Sequence, residues 1–264
     1  MRVDVTNPLW RFRGLRGITW LFFAYLYLPI IVLIVLSFNE NRLATIWSGF
    51  STQWYGIVLG NDDIIRAATN SLIVATVATL AATLAATLAA LGMAKGRFRG
   101  TDGISGLIAL PLMVPEIVTA VASLLFFIMI GLRLGLTTVI IAHTVFCIPF
   151  AYLPIRARLE GMDKALGEAA ADLYASDWQA FRRITLPLLW PGILSGGMLA
   201  FIISLDDFVI TYFVGGAGST TLPVYIFGMI RIGITPEVNA ISSMMLIVSI
   251  LFVTLSFLVG RLRR

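Results

Sequence analysis

Six long apolar runs, separated by short polar segments, account for most of the chain. They cover residues 18–38, 67–94, 104–130, 136–155, 188–213 and 240–260. Each is about as long as, or longer than, the ~20 residues that a helix needs to cross the hydrocarbon core of a bilayer. The 264-residue chain is only 12% charged, whereas a soluble domain carries about twice that fraction. The pattern therefore predicts an all-α polytopic membrane protein with six transmembrane helices.

The basic residues lie mainly in alternate segments between these runs. If the N-terminus is cytoplasmic, 15 of the 19 Lys and Arg residues are on the cytoplasmic side. The four on the outer side are Arg42, Arg66, Arg133 and Arg231. Because cytoplasmic loops of membrane proteins are enriched in Lys and Arg, we predict that both termini are cytoplasmic. The same asymmetry explains the net charge of +5 without a nucleic-acid partner.

The second run contains the stretch "LAATLAATLAAL", in which alanines recur every four residues. Small residues at this spacing let two membrane helices approach closely. The pattern predicts a tight helix–helix seam along Ala81, Ala85 and Ala89.

The third run is interrupted by Pro111 and Pro115, and Glu116 follows directly. A proline inside a membrane helix frees backbone carbonyls, and such breaks occur where protein or water covers them. At 1.5 Å per residue, Glu116 is ~18 Å into the run, near the midplane of the membrane. An acid at that depth is more often functional than structural, which makes Glu116 a candidate for a substrate pathway. The alternative is that it stabilises the first turn of a helix restarting at Pro115.

Two adjacent aspartates, Asp206 and Asp207, stand inside the apolar stretch "FIISLDDFVITYF" of the fifth run. They lie ~22 Å beyond Pro191 along a helix, and therefore in the outer half of the membrane. The six runs hold no lysine or arginine well inside them. We therefore expect these acids and Glu116 to lack a partner in their own chain, and to face another subunit, a bound cation or a water-filled cavity.

On one continuous helix, Asp207 would share its face with small and polar residues. This stripe consists of Ala200, Ser204, Asp207 and Thr211. Such a face suits the wall of a pathway, and Asp206 would point about 100° away. The alternative is that one aspartate caps a broken helix while the other pairs with a second subunit.

Two other positions bear on the choice of chemistry. His143 is the only histidine and Cys147 the only cysteine, so we expect no disulfide and no metal site, and His143 to be a hydrogen-bonded packing residue. In the first outer loop, Trp54 either belongs to an interfacial aromatic belt or faces a cation. We include Trp54 among the pathway candidates.

The longest cytoplasmic segment carries signals for two short helices. Residues 165–173 are strong helix formers, and "SDWQ" at 176–179 fits a capping box that opens a second helix. Two ordered helices at a membrane surface suit a docking element, and the alternative is an ordered but passive connector.

This segment resembles the EAA signature of ABC-importer permease subunits, in which EAA is followed by three residues, glycine, nine residues and I-x-L-P. The matching residues are Glu168, Ala169, Ala170, Ile184, Leu186 and Pro187. Tyr174 occupies the position where the family usually has glycine. A positive φ would cost a tyrosine about 1–2 kcal/mol. We therefore expect the turn to be built differently here, with the docking role kept.

The stretches "PEIVTAVASL", "HTVFCIPFAY", "SLDDFVITYF" and "ITPEVNA" extend the resemblance over nearly the whole chain, and are similar to the spermidine/putrescine permease subgroup. The resemblance implies a type I ABC importer permease fold in a bacterial inner membrane. It also implies a homologous second permease, an ATP-binding subunit dimer and an extracytoplasmic substrate-binding protein. The chain has no G-x-x-x-x-G-K-[ST] phosphate loop. We therefore expect no cofactor and no enzymatic activity in this chain, with ATP and Mg bound by the partner ATPase.

The resemblance also suggests how the chain is divided and what it carries. We expect an N-terminal part at 1–65, a permease core at 66–260 with a coupling loop at about 157–187, and a cytoplasmic tail at 261–264. Carboxylates suit the ammonium groups of a polyamine, so the candidate pathway includes Glu116, Asp206 and Asp207 together with Ser204 and Thr211. One alternative is a permease for another small cationic or metal solute. Another is an ion-coupled secondary transporter, for which intramembrane acids are typical but a coupling loop is not needed.

Overall fold

The computed structural model describes residues 13–42, 46–95, 100–163, 165–233 and 235–261, and almost all of these are helical. The helices are α1 (Arg13–Leu36), α2 (Gln53–Leu59), α3 (Asp62–Lys95), α4 (Thr101–Met113), α5 (Glu116–Met129), α6 (Leu136–Glu160), α7 (Ala165–Asp172), α8 (Asp177–Ala180), α9 (Leu186–Asp206), α10 (Val209–Val214), α11 (Leu222–Ile232) and α12 (Pro236–Arg261). A π-helical turn, Phe181–Thr185, joins α8 to α9.

By its internal contacts the chain divides into two compact units. One comprises Met1–Asn61 and Met229–Ile247, and the other comprises Asp62–Gly228 and Val248–Arg264.

Several of these helices have the length and composition to cross a membrane. Over the described residues there are four, Gly14–Leu36, Asp62–Ala94, Leu136–Glu160 and Asp177–Asp206, and a fifth if α4 and α5 form one bent span. This confirms a nearly all-helical, multi-span protein. The count of six spans remains a prediction.

The second unit is built around α3, α6 and α9, which pack along one another. Within the alanine-rich stretch of α3, residues 80–91, the buried residues are Ala82, Ala86 and Ala90. The predicted seam therefore exists, but its register is wrong by one residue, because Ala81, Ala85 and Ala89 are only half-buried. The bulky Leu80, Leu84 and Leu88 are exposed on the other side of the helix. The alanine two residues after each leucine lies on the opposite face and therefore points toward the core.

Glycines bring α9 unusually close to α6. A Cβ at Gly196 would overlap the backbone of Ala151, and a Cβ at Gly192 would collide with the side chain of Arg158. On the neighbouring face, Gly197 lies against Thr83 of α3. Small residues permit this approach between membrane helices, and it brings the end of α9 within hydrogen-bonding reach of α6.

The third apolar run is broken as predicted, although by one proline rather than two. Pro111 is accommodated inside α4, whereas Val114, which precedes Pro115, is extended with φ −87° and ψ 133°. The ring of a proline disfavours a helical conformation in the preceding residue, so α4 ends there and α5 begins at Glu116. The two helices meet at an angle of 109°.

The first unit contains a folded loop after α1, organised by the buried Asn39. Its Nδ2 donates to the carbonyl of Ile46 at 2.7 Å, and its Oδ1 accepts from the backbone N–H of Ser48 at 3.1 Å. The indole Nε1 of Trp54 donates to the carbonyl of Asn39 at 2.6 Å. Trp54, a predicted pathway residue, is therefore buried and holds the loop, and the structure does not place it on an open surface.

Candidate substrate pathway and coupling loop

The fifth apolar run is not one continuous helix, because it breaks at the two aspartates. Helix α9 ends at Asp206, Asp207 is extended with ψ 127°, and α10 begins at Val209. The carboxylate of Asp207 accepts hydrogen bonds from the backbone N–H of Ile210 at 3.3 Å and of Thr211 at 3.0 Å. These N–H groups belong to the first turn of α10, which has no helical acceptors for them. Asp207 therefore caps α10.

His143 on α6 supplies a second partner for the same carboxylate. Its Nε2 lies 3.0 Å from Oδ1 of Asp207 and 2.9 Å from Oγ1 of Thr211. Its Nδ1 lies 2.8 Å from Oγ of Ser204. In the neutral imidazole, Nε2–H donates toward Asp207 while Nδ1 accepts from the Ser204 hydroxyl.

This contact corrects one expectation and confirms another. The expectation that the intramembrane acids lack a partner in their own chain is wrong for Asp207. The expectation that His143 is a hydrogen-bonded packing residue is confirmed. The predicted topology could have paired the two residues, because it puts His143 seven residues after Leu136 at the outer end of its run and puts Asp207 in the outer half as well.

The two aspartates differ sharply in exposure. Asp207, with Ser204 and Thr211, is buried against α6, whereas Asp206 is exposed. The small, polar stripe predicted as a pathway wall therefore faces the interior of this subunit. It is Asp206 that presents its carboxylate at the surface.

A cavity of about 400 Å³ brings together all three predicted acids. Its walls include Glu116 at the start of α5, together with Asp206 and Asp207. The carboxyl of Glu116 lies next to that of Asp207, close enough to share a hydrogen bond. Glu116 and the two aspartates, 90 and 91 positions apart in sequence, thus meet at one site, because both of their runs break there.

Aromatic rings also line this cavity, and the sequence did not lead us to predict them. Phe146 and Phe150, one turn apart on α6, have ring centroids 5.5 Å apart. Phe208 also lines the cavity, and its ring packs at a tilt on Phe227 of α11, with centroids 4.5 Å apart. The i, i+4 spacing of Phe146 and Phe150, one turn beyond His143, is the signal that could have indicated a shared face.

The loop that was predicted to be cytoplasmic folds into the two predicted helices. Helix α7 ends in a Schellman motif, in which the N–H of Ala175 donates to the carbonyl of Ala170 at 3.0 Å and the N–H of Tyr174 to that of Ala171 at 2.9 Å. Tyr174 occupies the left-handed position of this motif with φ 53°. The expectation that the turn would be built differently without glycine is wrong, since the tyrosine adopts the conformation that glycine favours.

The capping box at the start of α8 is confirmed. The N–H of Gln179 donates to Oγ of Ser176 at 3.3 Å, and Oε1 of Gln179 accepts from the N–H of Ser176 at 3.0 Å. Glu168 and Ala169 are exposed, while Ala170 is buried. Ile184 lies in the π-helical turn, and Leu186 and Pro187 begin α9. The EAA-like residues thus belong to one ordered element that runs directly into α9.

A second cavity, of about 720 Å³, separates this loop from the ends of the long helices. Its walls include Leu166 of α7 and Thr101 and Asp102 at the start of α4. Arg156 and Glu160 at the end of α6 also line it, with Nε of Arg156 donating to Oε1 of Glu160 at 2.7 Å. The first turn of α4 and the helix that carries Glu168 therefore border the same space.

Comparison with known proteins identifies the chain at the level of its family. Residues 80–264 match the family model described as "Binding-protein-dependent transport system inner membrane component". The chain belongs to this permease family. As a member, it is an inner-membrane transport component of an ABC importer and not itself an enzyme.

Curated members of this permease family match over most of their length. The chain is 41% identical over 239 residues to the spermidine/putrescine transport system permease protein PotC of Haemophilus influenzae, covering 90% of this chain and 93% of that protein. It is 39% identical over 231 residues to the putrescine transport system permease protein PotI of Escherichia coli K12, covering 85% of this chain and 82% of that protein.

Solved structures of ABC transporters share the fold of this permease. A bacterial ABC transporter involved in the import of the acidic polysaccharide alginate superposes with a TM-score of 0.75 at 18% identity, covering 98% of this chain and 97% of that chain. The MetNI methionine ABC transporter superposes with a TM-score of 0.66 at 19% identity, covering 76% of this chain and 95% of that chain. At these identities the likeness establishes the fold alone.

Proposed function

We propose that the chain is one of two permease subunits of an ATP-driven polyamine importer. It pairs with a homologous second permease, rests on a dimer of ATP-binding subunits, and receives spermidine or putrescine from an extracytoplasmic binding protein. The identity of 41% over 90% of the chain to a permease named for spermidine and putrescine supports this assignment. The cofactor of transport, ATP with Mg, belongs to the partner subunits.

The observation that carries the cargo assignment is the cavity that holds Glu116 and Asp206 beside phenylalanine rings. A polyamine consists of protonated amines separated by methylene groups. Carboxylates form charge-assisted hydrogen bonds with the amines, and aromatic rings attract both the cations and the apolar spacers. Among the described residues, no lysine or arginine lines this cavity. An anionic cargo would be repelled from such a site.

Within this pathway the acids have different roles. Asp206 is exposed and Glu116 stands at a helix start, so both can reach a passing amine. Asp207 stabilises the break between α9 and α10. It thereby fixes the position of Asp206, the last residue of α9. Ser204 and Thr211 act on the pathway by fixing His143. Trp54 contributes indirectly, as the residue that orders the outer loop.

We further propose six spans with both termini in the cytoplasm. Helices α4 and α5 together form the bent third span, and α12 forms the sixth. At 1.5 Å per residue, the 26 residues of α12 extend ~39 Å, enough to cross the hydrocarbon core. The permease core at 66–260 then follows an N-terminal part at 1–65, and the tail at 261–264 is cytoplasmic.

The coupling loop at about 157–187 is proposed to dock on the ATPase. Glu168, Ala169, Ala170 and Tyr174 supply the surface at α7 and its turn, while Ile184, Leu186 and Pro187 connect it to α9. Arg158 ties the base of the loop, since its Nε donates to the carbonyl of Leu188 at 2.8 Å. Movement of the ATPase is thereby transmitted to the helix that carries Asp206.

The test is transport by the assembled complex in proteoliposomes. The chain, its sister permease, the ATPase and the binding protein are reconstituted, and uptake of labelled spermidine and putrescine is measured with and without ATP. We expect ATP-dependent uptake that falls in Asp206→Asn and stays normal in Asp62→Asn, an exposed acid on α3 outside the cavity. Uptake of an anionic solute in place of polyamines would overturn the assignment, and so would polyamine flux through this chain without an ATPase.

A further inference from the structure

Tyr174 has a strained backbone conformation and an almost fully exposed side chain. The exposed ring would offset the cost of the strain only by contacting a partner. Its φ of 53° lies in the left-handed region, which glycine adopts freely and a bulky residue does not. Its side chain is 97% exposed, so its ring gains no packing within this chain that would offset the strain. Backbone strain of this kind persists mainly at functional positions.

Two other large apolar side chains near the turn between α7 and α8 are exposed as well. Leu173 is 81% exposed and Trp178 is 66% exposed. The Trp178 ring packs on Phe181, with centroids 5.5 Å apart. Large apolar residues that stay exposed so close together in sequence favour an interaction site, and under the proposed topology this segment faces the cytoplasm, where no lipid covers it.

We propose that Tyr174 is a specificity-determining anchor that inserts its ring into an apolar pocket of the ATP-binding subunit, so that this permease selects its own ATPase. The inference rests on the proposed function and names one contact of the coupling loop. Glycine at this position would make the same Schellman turn and leave the surface without an anchor. The exposed carboxylates of Glu168 and Asp172 on α7 predict a pocket with a basic rim, since charge complementarity selects partners.

The test compares three variants in the full complex. The permease pair is purified with its ATPase, the ATPase is stripped off, and its Kd for the permease pair in nanodiscs is measured on readdition, together with the ATPase rate stimulated by the binding protein. We expect Tyr174→Gly and Tyr174→Ala to raise the Kd at least about tenfold, which corresponds to about 1.4 kcal/mol. Tyr174→Phe keeps the ring and should remain within about twofold of the wild type.

Thermal unfolding of the permease pair separates an anchor from a structural role. Tyr174→Gly removes the backbone strain, so its melting temperature should equal or exceed that of the wild type while its affinity for the ATPase falls. A purely structural tyrosine would give the opposite result, with Tyr174→Gly binding the ATPase as tightly as the wild type or more tightly. That outcome would overturn the inference.

Glu168→Lys distinguishes failure of this inference from failure of the proposed function. If Glu168→Lys loses the ATPase and Tyr174→Gly does not, the loop docks but Tyr174 is not the anchor. If neither variant affects ATPase binding, the loop is not the docking site, and the proposed coupling falls as well. If no ATPase accompanies the wild-type permease pair, both are wrong.

Discussion

The imidazole Nε2 of His143 lies 3.0 Å from Oδ1 of Asp207, joining α6 to the break between α9 and α10. Both side chains are almost fully buried, and the same carboxylate caps the first turn of α10. Asp207 is therefore a structural residue first. Asp206, its neighbour in sequence, is free to present its charge to a solute, and the two positions should respond differently to the same substitution.

Asp206→Asn should reduce polyamine uptake about tenfold while leaving the melting temperature of the permease unchanged. It removes one charged hydrogen-bond acceptor from the cavity, and such bonds contribute about 1.5–3 kcal/mol. Asp207→Asn should lower the melting temperature as well as the uptake, because it weakens the contact with His143. Uptake in proteoliposomes and thermal unfolding in detergent measure the two effects. Equal melting temperatures for both variants would contradict the assignment.

His143→Ala should destabilise the permease by about 1–3 kcal/mol, because it leaves the buried carboxylate of Asp207 without one of its donors. Residues in direct contact give non-additive effects. The double variant His143→Ala/Asp207→Asn should therefore lose less stability than the sum of the two single variants. Thermal unfolding of the wild type, the two single variants and the double variant completes this double-mutant cycle. Strictly additive losses of stability would show that the contact between His143 and Asp207 contributes nothing.

Gly196→Ala should lower stability by about 1–3 kcal/mol, because its Cβ would overlap the backbone of Ala151 and overpacking has a cost of that order. Gly92→Ala on α3 is the matched control, since a Cβ there meets nothing within 4 Å and alanine favours a helix by about 1 kcal/mol. The two substitutions should shift the melting temperature in opposite directions. If Gly196→Ala is as stable as Gly92→Ala, α6 and α9 do not approach as closely as described.

Ala169→Leu and Ala170→Leu should separate docking from folding of the coupling loop. Ala169 is exposed, so a larger side chain there should impair ATPase docking while the loop stays folded. Ala170 is buried, so the same change should also disorder α7. Polyamine uptake per ATP hydrolysed measures coupling, and limited proteolysis of the loop measures folding. Faster proteolysis of Ala169→Leu than of Ala170→Leu would reverse the assignment.

Local signals in the sequence predicted much of the fold. Proline chemistry located the break before Glu116, and the spacing of Ser176 and Gln179 located the capping box, because both depend on residues a few positions apart. The alanine seam was found with the wrong register, since periodicity alone does not say which of two neighbouring faces the leucines will expose to lipid.

Contacts between distant residues were harder to predict. Asp207 and His143 are 64 positions apart, and nothing in either run states that α6 and α9 pack together. Treating the fifth run as one helix also hid the capping role of Asp207 and placed Ser204 and Thr211 on the wrong kind of surface. At Tyr174 the local signal was misleading. Residue preference argued against a left-handed tyrosine, but the Schellman turn requires that conformation and Tyr174 adopts it.

Because α4 and α5 meet at a bend of 109°, α4 is a separate straight segment that connects two distant places in the fold. One end of this 13-residue helix borders the same cavity as Leu166 of the coupling loop, and the other end, Met113, lies three residues before Glu116. At 1.5 Å per residue the helix is a rigid rod ~20 Å long. If ATP-binding subunits dock on the loop as proposed and tilt this end of α4, the other end would be displaced beside Glu116 without unfolding of the helix.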